Sequence, residues 1–482
     1  KKLFTATLLP VLLFAASCNN DKPPGGKDSA GKDTLGGEQD IPAIPYNCYC
    51  ADTSIRDSIC PMIPHEVDFS PSLGYHSTLV GNIQPIFDEF SWQSFAAFNW
   101  PSDANGNPVG SFFSGGDSNR VWETYKDPGE VFYNLRGGLA GASSDAKKNG
   151  RKLFYMTSKV NPTGLGGGDI VMFDNFALVD RNQNFSLYEE KMNPDEVGYV
   201  NQNNLHTLKN IMTYANAHGK ALDLPAGMYT DPAKHTGGQV GMVEFKAVWR
   251  ILDVTKGDNP ARFYNQQADI FVPAANSASG KEMIIKNVTV GMVAIHIIHK
   301  TNKFKDQVWS TFVHDDNNPD SLQYANKNYG TTNYSYFNPA CSDCPVNTPV
   351  PAPDKVYKWN SVPPYASAYA TKSGGKSYGN QVVQSFTIYP PTDLINAKWK
   401  SKLKSGNSVL ANYTLLGSQW FIGTTNTPGG PDQPAPPILG NPMLETFILP
   451  GSDCIGCHRN AKVHQNGDTV TTDLSFLFGH AK

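Results

Sequence analysis

The sequence predicts an α+β, β-rich fold: a large, mostly antiparallel sheet body with peripheral helices and a C-terminal segment packed on it. Three observations predict it. Runs rich in Val, Ile, Phe, Tyr, Trp and Thr, bounded by Gly, Pro or Asn, recur along the chain. Helical periodicity is clear in only two stretches. With 43 Gly, 35 Pro and 11% aromatics in 482 residues, the composition is that of a loop-rich globular body.

The chain opens with Lys1 and Lys2, an apolar run from Leu3 to Phe14, and Ala15-Ala16-Ser17-Cys18. A basic start, a short apolar core, small residues and then Cys form the pattern of a lipoprotein export signal over 1–18, with Cys18 lipidated. The run is shorter than the ~20 apolar residues of a spanning helix, and no later segment approaches that length. Membrane attachment is therefore expected through the lipid anchor alone, in the bacterial envelope, at the periplasmic or surface face of the outer membrane. Residues 19–45, beginning Asn19-Asn20-Asp21-Lys22-Pro23-Pro24, hold too little apolar surface to offset the entropy of ordering and read as a flexible tether.

Residues 46–80 form a Cys-containing N-terminal segment, and 81–440 the β-rich body. Strands are expected at Lys152–Met156, Asp169–Leu178, Gly241–Leu252, Asn287–His299, Val308–Val313, Gln381–Tyr389 and Ser408–Phe421. Helices are expected at Ile83–Phe98, where Ile86, Phe87, Phe90, Phe95 and Phe98 recur near a turn's spacing, and around Asn203–His218.

The final segment, 441–482, contains Cys454-Ile455-Gly456-Cys457-His458. In a CxxCH the two thiols add to the two vinyl groups of one porphyrin, and the adjacent imidazole reaches the iron as proximal ligand. Random placement of 8 Cys and 11 His among 482 residues yields this pentapeptide on the order of a few times per thousand chains. One covalent haem c is expected, held by Cys454 and Cys457 with His458 on the iron. Because this motif sits so late, the haem is expected to be walled by the preceding body, with Phe476, Leu477 and Phe478 behind it.

The sixth iron position separates an electron carrier from a site that binds peroxide or oxygen. Met443 is one candidate distal ligand, against simple core filling. His296 and His314 are two others, on the strand-like runs ending at His299 and His314. If opposed pairs across this hairpin sum to an even number, His296, Phe312 and His314 share a face; a one-residue slip puts His296 with Thr311 and Val313 instead. Lys300, Asp315 and Asp316 would stand near the hairpin ends. On Met242–Arg250, alternation places Val243, Phe245, Ala247 and Trp249 on one side and Glu244, Lys246 and Arg250 on the other, either a solvated face or a charged wall toward a haem or substrate. Asp103-Ala104-Asn105-Gly106-Asn107 has the oxygen spacing of a calcium loop but lacks the later bidentate Glu, and reads as a turn.

Setting aside Cys18, Cys454 and Cys457 leaves Cys48, Cys50, Cys60, Cys341 and Cys344. In an oxidising compartment Cys341 with Cys344, and Cys60 with Cys48 or Cys50, are expected disulfides with one thiol left over, a redox-active dithiol being the alternative for Cys341 and Cys344. A net charge of −3 with scattered Lys and Arg gives no basic field, so no nucleic-acid partner is expected.

The runs Trp92-Gln93-Ser94-Phe95-Ala96-Ala97-Phe98-Asn99-Trp100-Pro101, Lys300-Thr301 through Trp309-Ser310-Thr311-Phe312-Val313-His314 to Asn318-Pro319, and Leu444-Glu445-Thr446-Phe447 followed by CIGCH and Phe476-Leu477-Phe478-Gly479 resemble a group of bacterial monohaem "cytochrome c family" proteins. The resemblance spans roughly Ile83 to His480. It implies export, one covalent haem on Cys454, Cys457 and His458, and a redox role, and it adds weight to His314. Electron transfer with a redox partner protein is the first functional expectation. The alternatives are a haem-dependent oxidoreductase acting on a small-molecule substrate at an open distal site, and a binding module with the haem as sensor.

Overall fold

The longest β-branched run of the sequence becomes a single strand of 17 residues, Met283–His299, and the sheet is organised on it. This computed structural model describes residues 59–68, 80–113, 119–132, 152–155, 177–348, 350, 356–421, 434–445 and 451–481. The export signal with Cys18, the tether, Cys48, Cys50 and nearly all of the expected strand at 169–178 lie outside the described residues. In chain order the strands are β1 (Lys152–Tyr155), β2 (Leu187–Met192), β3 (Val243–Ile251), β4 (Asn265–Val272), β5 (Met283–His299), β6 (Val308–His314), the hairpin β7 (Thr371–Ser373) and β8 (Lys376–Tyr378), β9 (Tyr413–Phe421), β10 (Pro434–Ala435), and the hairpin β11 (Lys462–Gln465) and β12 (Asp468–Thr471).

All but the two hairpins belong to one eight-stranded sheet. One edge of β5 pairs with β3; the other pairs with β4 through its first half and β6 through its second, and Gly291 has partners on both edges, Arg250 and Asn265. Beyond these lie β2 next to β3, β9 and β10 next to β6, and β1 next to β4. The β1–β4 pair is parallel and the others are antiparallel. The fold class is thus α+β with a large, mostly antiparallel sheet.

Seven α-helices accompany it among the described residues: α1 (Val80–Phe98), α2 (Pro128–Val131), α3 (Pro194–Gln202), α4 (Leu208–Ala217), α5 (Ser321–Ala325), α6 (Pro390–Ser405) and α7 (Cys454–His458). None is long and apolar enough to cross a membrane. Asn193 caps α3 and Thr207 caps α4, so the helix expected from Asn203 starts only after Thr207. Gln381–Tyr389 is a correction: it is not a strand. Its inward residues are buried, but Val382 and Gln384 donate their N–H groups to the carbonyls of Tyr336 and Pro319, which lie in loops. Two prolines then start α6, a helix whose Ile395, Trp399 and Leu403 share one buried stripe.

Period-two alternation gives the sheet two buried faces. On one, Phe245, Trp249, Ile295 and Phe312 pack against Trp92, Phe95 and Trp399 of α1 and α6. The Trp92 indole donates to Asn396 Oδ1 at 2.9 Å, which ties the two helices together. On the other, Val248, Ala294, Ile298, Trp309, Val313 and Leu416 lie under the C-terminal segment, against Met443, Leu444, Ile455, Val463 and Phe478. Glu244 and Lys246 therefore face a covered interface rather than open solvent.

Candidate haem-attachment site

The CxxCH folds as a single helical turn because Asp453 caps it: its carboxylate accepts from the Gly456 N–H. A Cβ on residue 456 would collide with that carboxylate. Helical spacing puts Cys454, Cys457 and His458 on adjoining positions of one face. The buried Ile455 donates its N–H to Gln419 Oε1 at 2.9 Å, fixing the turn to β9. Cys454 is buried, its Sγ 3.5 Å from the carbonyl oxygen of Leu439. Burial drives that thiol's pKa well up, with Glu445 adding to the effect. The two thiols are not joined to each other, whereas Cys341 and Cys344, at the same spacing, form the expected disulfide. Cys60 is also disulfide-bonded.

His458 Nδ1 lies 2.7 Å from the carbonyl oxygen of Leu474. A carbonyl only accepts, so Nδ1 carries the proton and Nε2 keeps its lone pair, the tautomer of a metal-bound imidazole whose other nitrogen is anchored to the protein. Trp309 and Phe476 bracket the ring, with centroids 4.3 and 4.8 Å away. Burial lowers its pKa to about 4, so the ring stays neutral at physiological pH. These residues fit a c-type haem: two thiols at the right spacing and an oriented imidazole.

The Leu474 carbonyl is held in place by unusual backbone. Asp473 and Leu474 are both left-handed, at φ 53° and 64°. Asp473 is clamped from three sides: its carboxylate accepts from Lys300 Nζ at 2.6 Å and Leu224 N–H at 2.7 Å, and its carbonyl accepts from Gln307 Nε2 at 2.8 Å. Lys300 therefore acts at the hairpin end as expected, but through the loop that positions His458.

Beneath the site runs one cross-strand row, Glu190, Lys246, His296, Thr311 and Gly417, on β2, β3, β5, β6 and β9. The C-terminal segment roofs it. His480 Nε2 is 3.3 Å from Glu190, Glu445 is 3.7 Å from His296 Nε2, and Asn441 Nδ2 donates to Thr311 Oγ1 at 2.9 Å. Leu439 covers Gly417, where a Cβ would stand 3.1 Å from Leu439 Cδ1. Sequence reasoning missed Glu190, Asn441 and Glu445, since the first enters through strand register and the other two through the covering of the sheet by the C-terminal segment.

The distal-ligand candidates separate. Opposed pairs across β5 and β6 sum to an odd number, as in His296 with Thr311, because eight residues, Lys300 to Gln307, connect the strands. Of the two registers open to the sequence, the even-sum one is not formed and the one-residue slip is: His296 shares its face with Thr311 and Val313, toward the C-terminal segment, and His314 faces away. His314 Nε2 is 2.8 Å from the Arg262 carbonyl and its Nδ1 accepts from the Asp316 N–H at 3.0 Å, so backbone engages both nitrogens. The ring stacks on Phe263. Met443 is buried under the same roof as His296; its N–H donates to Asn441 Oδ1 and its carbonyl accepts from Tyr188. Asp315 pairs with Lys400 and Asp316 with Arg262, away from the site.

Arg250 departs from the charged wall. A register shift at Val248/Trp249 precedes it, and it is buried against Asp180 and Asp258 at 3.1 and 2.8 Å. Asp103 accepts from the N–H groups of Asn105 and Asn107 at 2.8 and 2.9 Å, the closed geometry of a turn. Among the described residues no group of three or more His, Cys, Asp or Glu is gathered as an ion site.

No family model, no curated protein and no solved structure matches this chain.

Proposed function

We propose that this chain is an exported, lipid-anchored monohaem c-type protein of the bacterial envelope that passes single electrons to and from a partner protein. Cys454 and Cys457 would hold the porphyrin through thioether bonds, and His458 Nε2 would bind the iron. The haem, when bound, supplies one-electron chemistry between ferrous and ferric iron. The chain's own contribution is to orient the imidazole, seal Cys454 from water and wall the site with Trp309 and Phe476.

The observation that carries this reading is the His458–Leu474 hydrogen bond inside a capped CxxCH turn. Anchoring Nδ1 fixes ring orientation and frees Nε2, as an axial ligand requires. The test is expression of the full chain in a host that matures c-type cytochromes, followed by haem staining after denaturing electrophoresis. Stain is expected to survive denaturation in the native chain and to disappear in Cys454→Ser/Cys457→Ser; a native chain that loses its stain overturns the reading. Labelling of Cys18 by lipid tests the anchor.

One arrangement favours a second reading, a haem-dependent oxidoreductase using peroxide or oxygen. His296 stands 3.7 Å from Glu445 on the face toward the C-terminal segment, a pairing suited to moving protons at a substrate. The two readings differ in spectrum. A low-spin ferric form indifferent to cyanide and carbon monoxide supports the carrier, and a high-spin form that binds them supports the enzyme.

A further inference from the structure

The carboxyl groups of Glu196 on α3 and Glu244 on β3 meet in the interior, the two residues being 0% and 3% exposed. Among the described residues no N–H or O–H donor reaches either Glu196 oxygen. Two carboxylates are acceptors only, so the contact closes as a hydrogen bond when one of them carries a proton. Burial with an adjacent acid is the arrangement that makes a carboxyl pair share a proton near neutrality. Burial raises Glu244 to about 7, and Glu196 is pushed well up by burial and by Glu244.

The pair is wired to the proposed haem turn. The Ser475 hydroxyl donates to Glu244 Oε1, and Ser475 follows Leu474, whose carbonyl holds His458. The other charges facing the pair are Glu190, with its partners Lys246 and His480, and Asp473, with its partner Lys300.

We propose that the Glu196–Glu244 pair is a redox-linked proton site, taking up one proton from solvent when the haem iron gains one electron. The inference rests on the haem reading above. The balance is simple: a one-electron donor protein is oxidised, ferric iron is reduced to ferrous, and a solvent proton binds the Glu244 carboxylate, the member of the pair that accepts from Ser475 and from the O–H of Glu196. Adding an electron makes the site more negative and raises the pair's proton affinity. Linkage then requires protonation to raise the haem potential by the same coupling.

The experiment is a spectroelectrochemical titration of the full-length holoprotein between about pH 5.5 and 8.5. With rising pH the wild-type midpoint is expected to fall at a slope approaching about 59 mV per pH unit, the value for one proton taken up per electron. Glu244→Gln and Glu196→Gln are each expected to flatten that slope. Infrared difference spectra of the wild type cover the case in which the variants do not fold: reduction should add a protonated-carboxyl band that shifts in deuterium oxide. A haem-bearing wild type with a pH-independent potential, a slope unchanged in both variants, or the absence of that band overturns this inference alone. A chain with no covalent haem overturns the haem reading before any titration begins.

Discussion

His458 Nδ1 and the Leu474 carbonyl oxygen stand 2.7 Å apart, and this contact depends on two consecutive left-handed residues, Asp473 and Leu474. Left-handed backbone costs about 1–2 kcal/mol per residue outside glycine. The clamp of Lys300, Leu224 and Gln307 on Asp473 offsets it. The end of the β5–β6 hairpin and the proposed iron ligand therefore form one mechanical unit.

Replacing Lys300 tests that unit. Lys300 is 2% exposed, and Lys300→Met leaves the Asp473 carboxylate without its cation. Breaking a buried pair this way costs roughly 3 kcal/mol, measurable as a lower midpoint in urea unfolding. The proposed thioether bonds would not involve Lys300, so covalent haem content should stay constant while the Soret position and midpoint potential shift. Unchanged stability and spectrum would remove Lys300 from any positioning role.

The odd register predicts opposite behaviour for two histidines that the sequence makes look alike. His296→Gln should alter the ferric spectrum or its response to cyanide, since His296 lies in the row beneath the proposed site, beside Glu445. His314→Ala should leave the spectrum alone and cost about 2–3 kcal/mol, the sum of lost packing on Phe263 and the unpaired backbone partners at Arg262 and Asp316. A spectral change in the His314 variant with none in the His296 variant would reverse the assignment.

Much of the sheet is legible in the sequence for a physical reason. β3, β5, β6 and β9 are β-branched and aromatic runs in the interior of a sheet, where packing on both faces imposes that composition. The CxxCH stands out in the sequence because the haem attachment proposed for it requires that spacing. What escapes is what register and covering decide. The parity of the β5–β6 loop turns His314 away from His296, and no local signal in residues 300–307 announces it. β2, with Glu189, Glu190 and Lys191 at its centre, reads as polar and surface-like, yet the first is held by Lys152 and the second by Lys246. Helix α6 was within reach, since Pro390, Asp393 and the Ile395, Trp399, Leu403 stripe are ordinary helix signals.

Acid should weaken the fold through His299. It is fully buried on β5, its Nε2 bonded to the Val240 carbonyl at 2.7 Å, and burial lowers its pKa from 6.5 to about 4. A depressed histidine favours folding while neutral: between those two values the unfolded chain binds the proton first, so stability present above pH 6.5 is lost as pH falls toward 4. The span corresponds to roughly 3 kcal/mol. Asp88, raised to about 6 chiefly by burial, works in the opposite sense over part of this window, so the wild-type profile alone is not diagnostic. The difference between wild type and His299→Leu isolates the term: it should narrow as pH drops from neutrality to about 4. A pH-independent difference in urea midpoints would show that His299 does not carry it.

The last prediction concerns two cysteine pairs of equal spacing and different fate. Cys341 and Cys344 are disulfide-bonded with Cα atoms 5.5 Å apart in a loop beside Tyr378, while Cys454 and Cys457 sit on a helical turn followed by His458. A disulfide closing so short a loop removes little entropy from the unfolded chain, about 2 kcal/mol or less. Cys341→Ser/Cys344→Ser should therefore lower the urea midpoint modestly and leave haem content and midpoint potential as in the wild type. If instead the variant matured without haem, or its potential moved by as much as that of Lys300→Met, the loop at 341–344 would have to be counted as part of the redox site, and the separation drawn between the two pairs would fail.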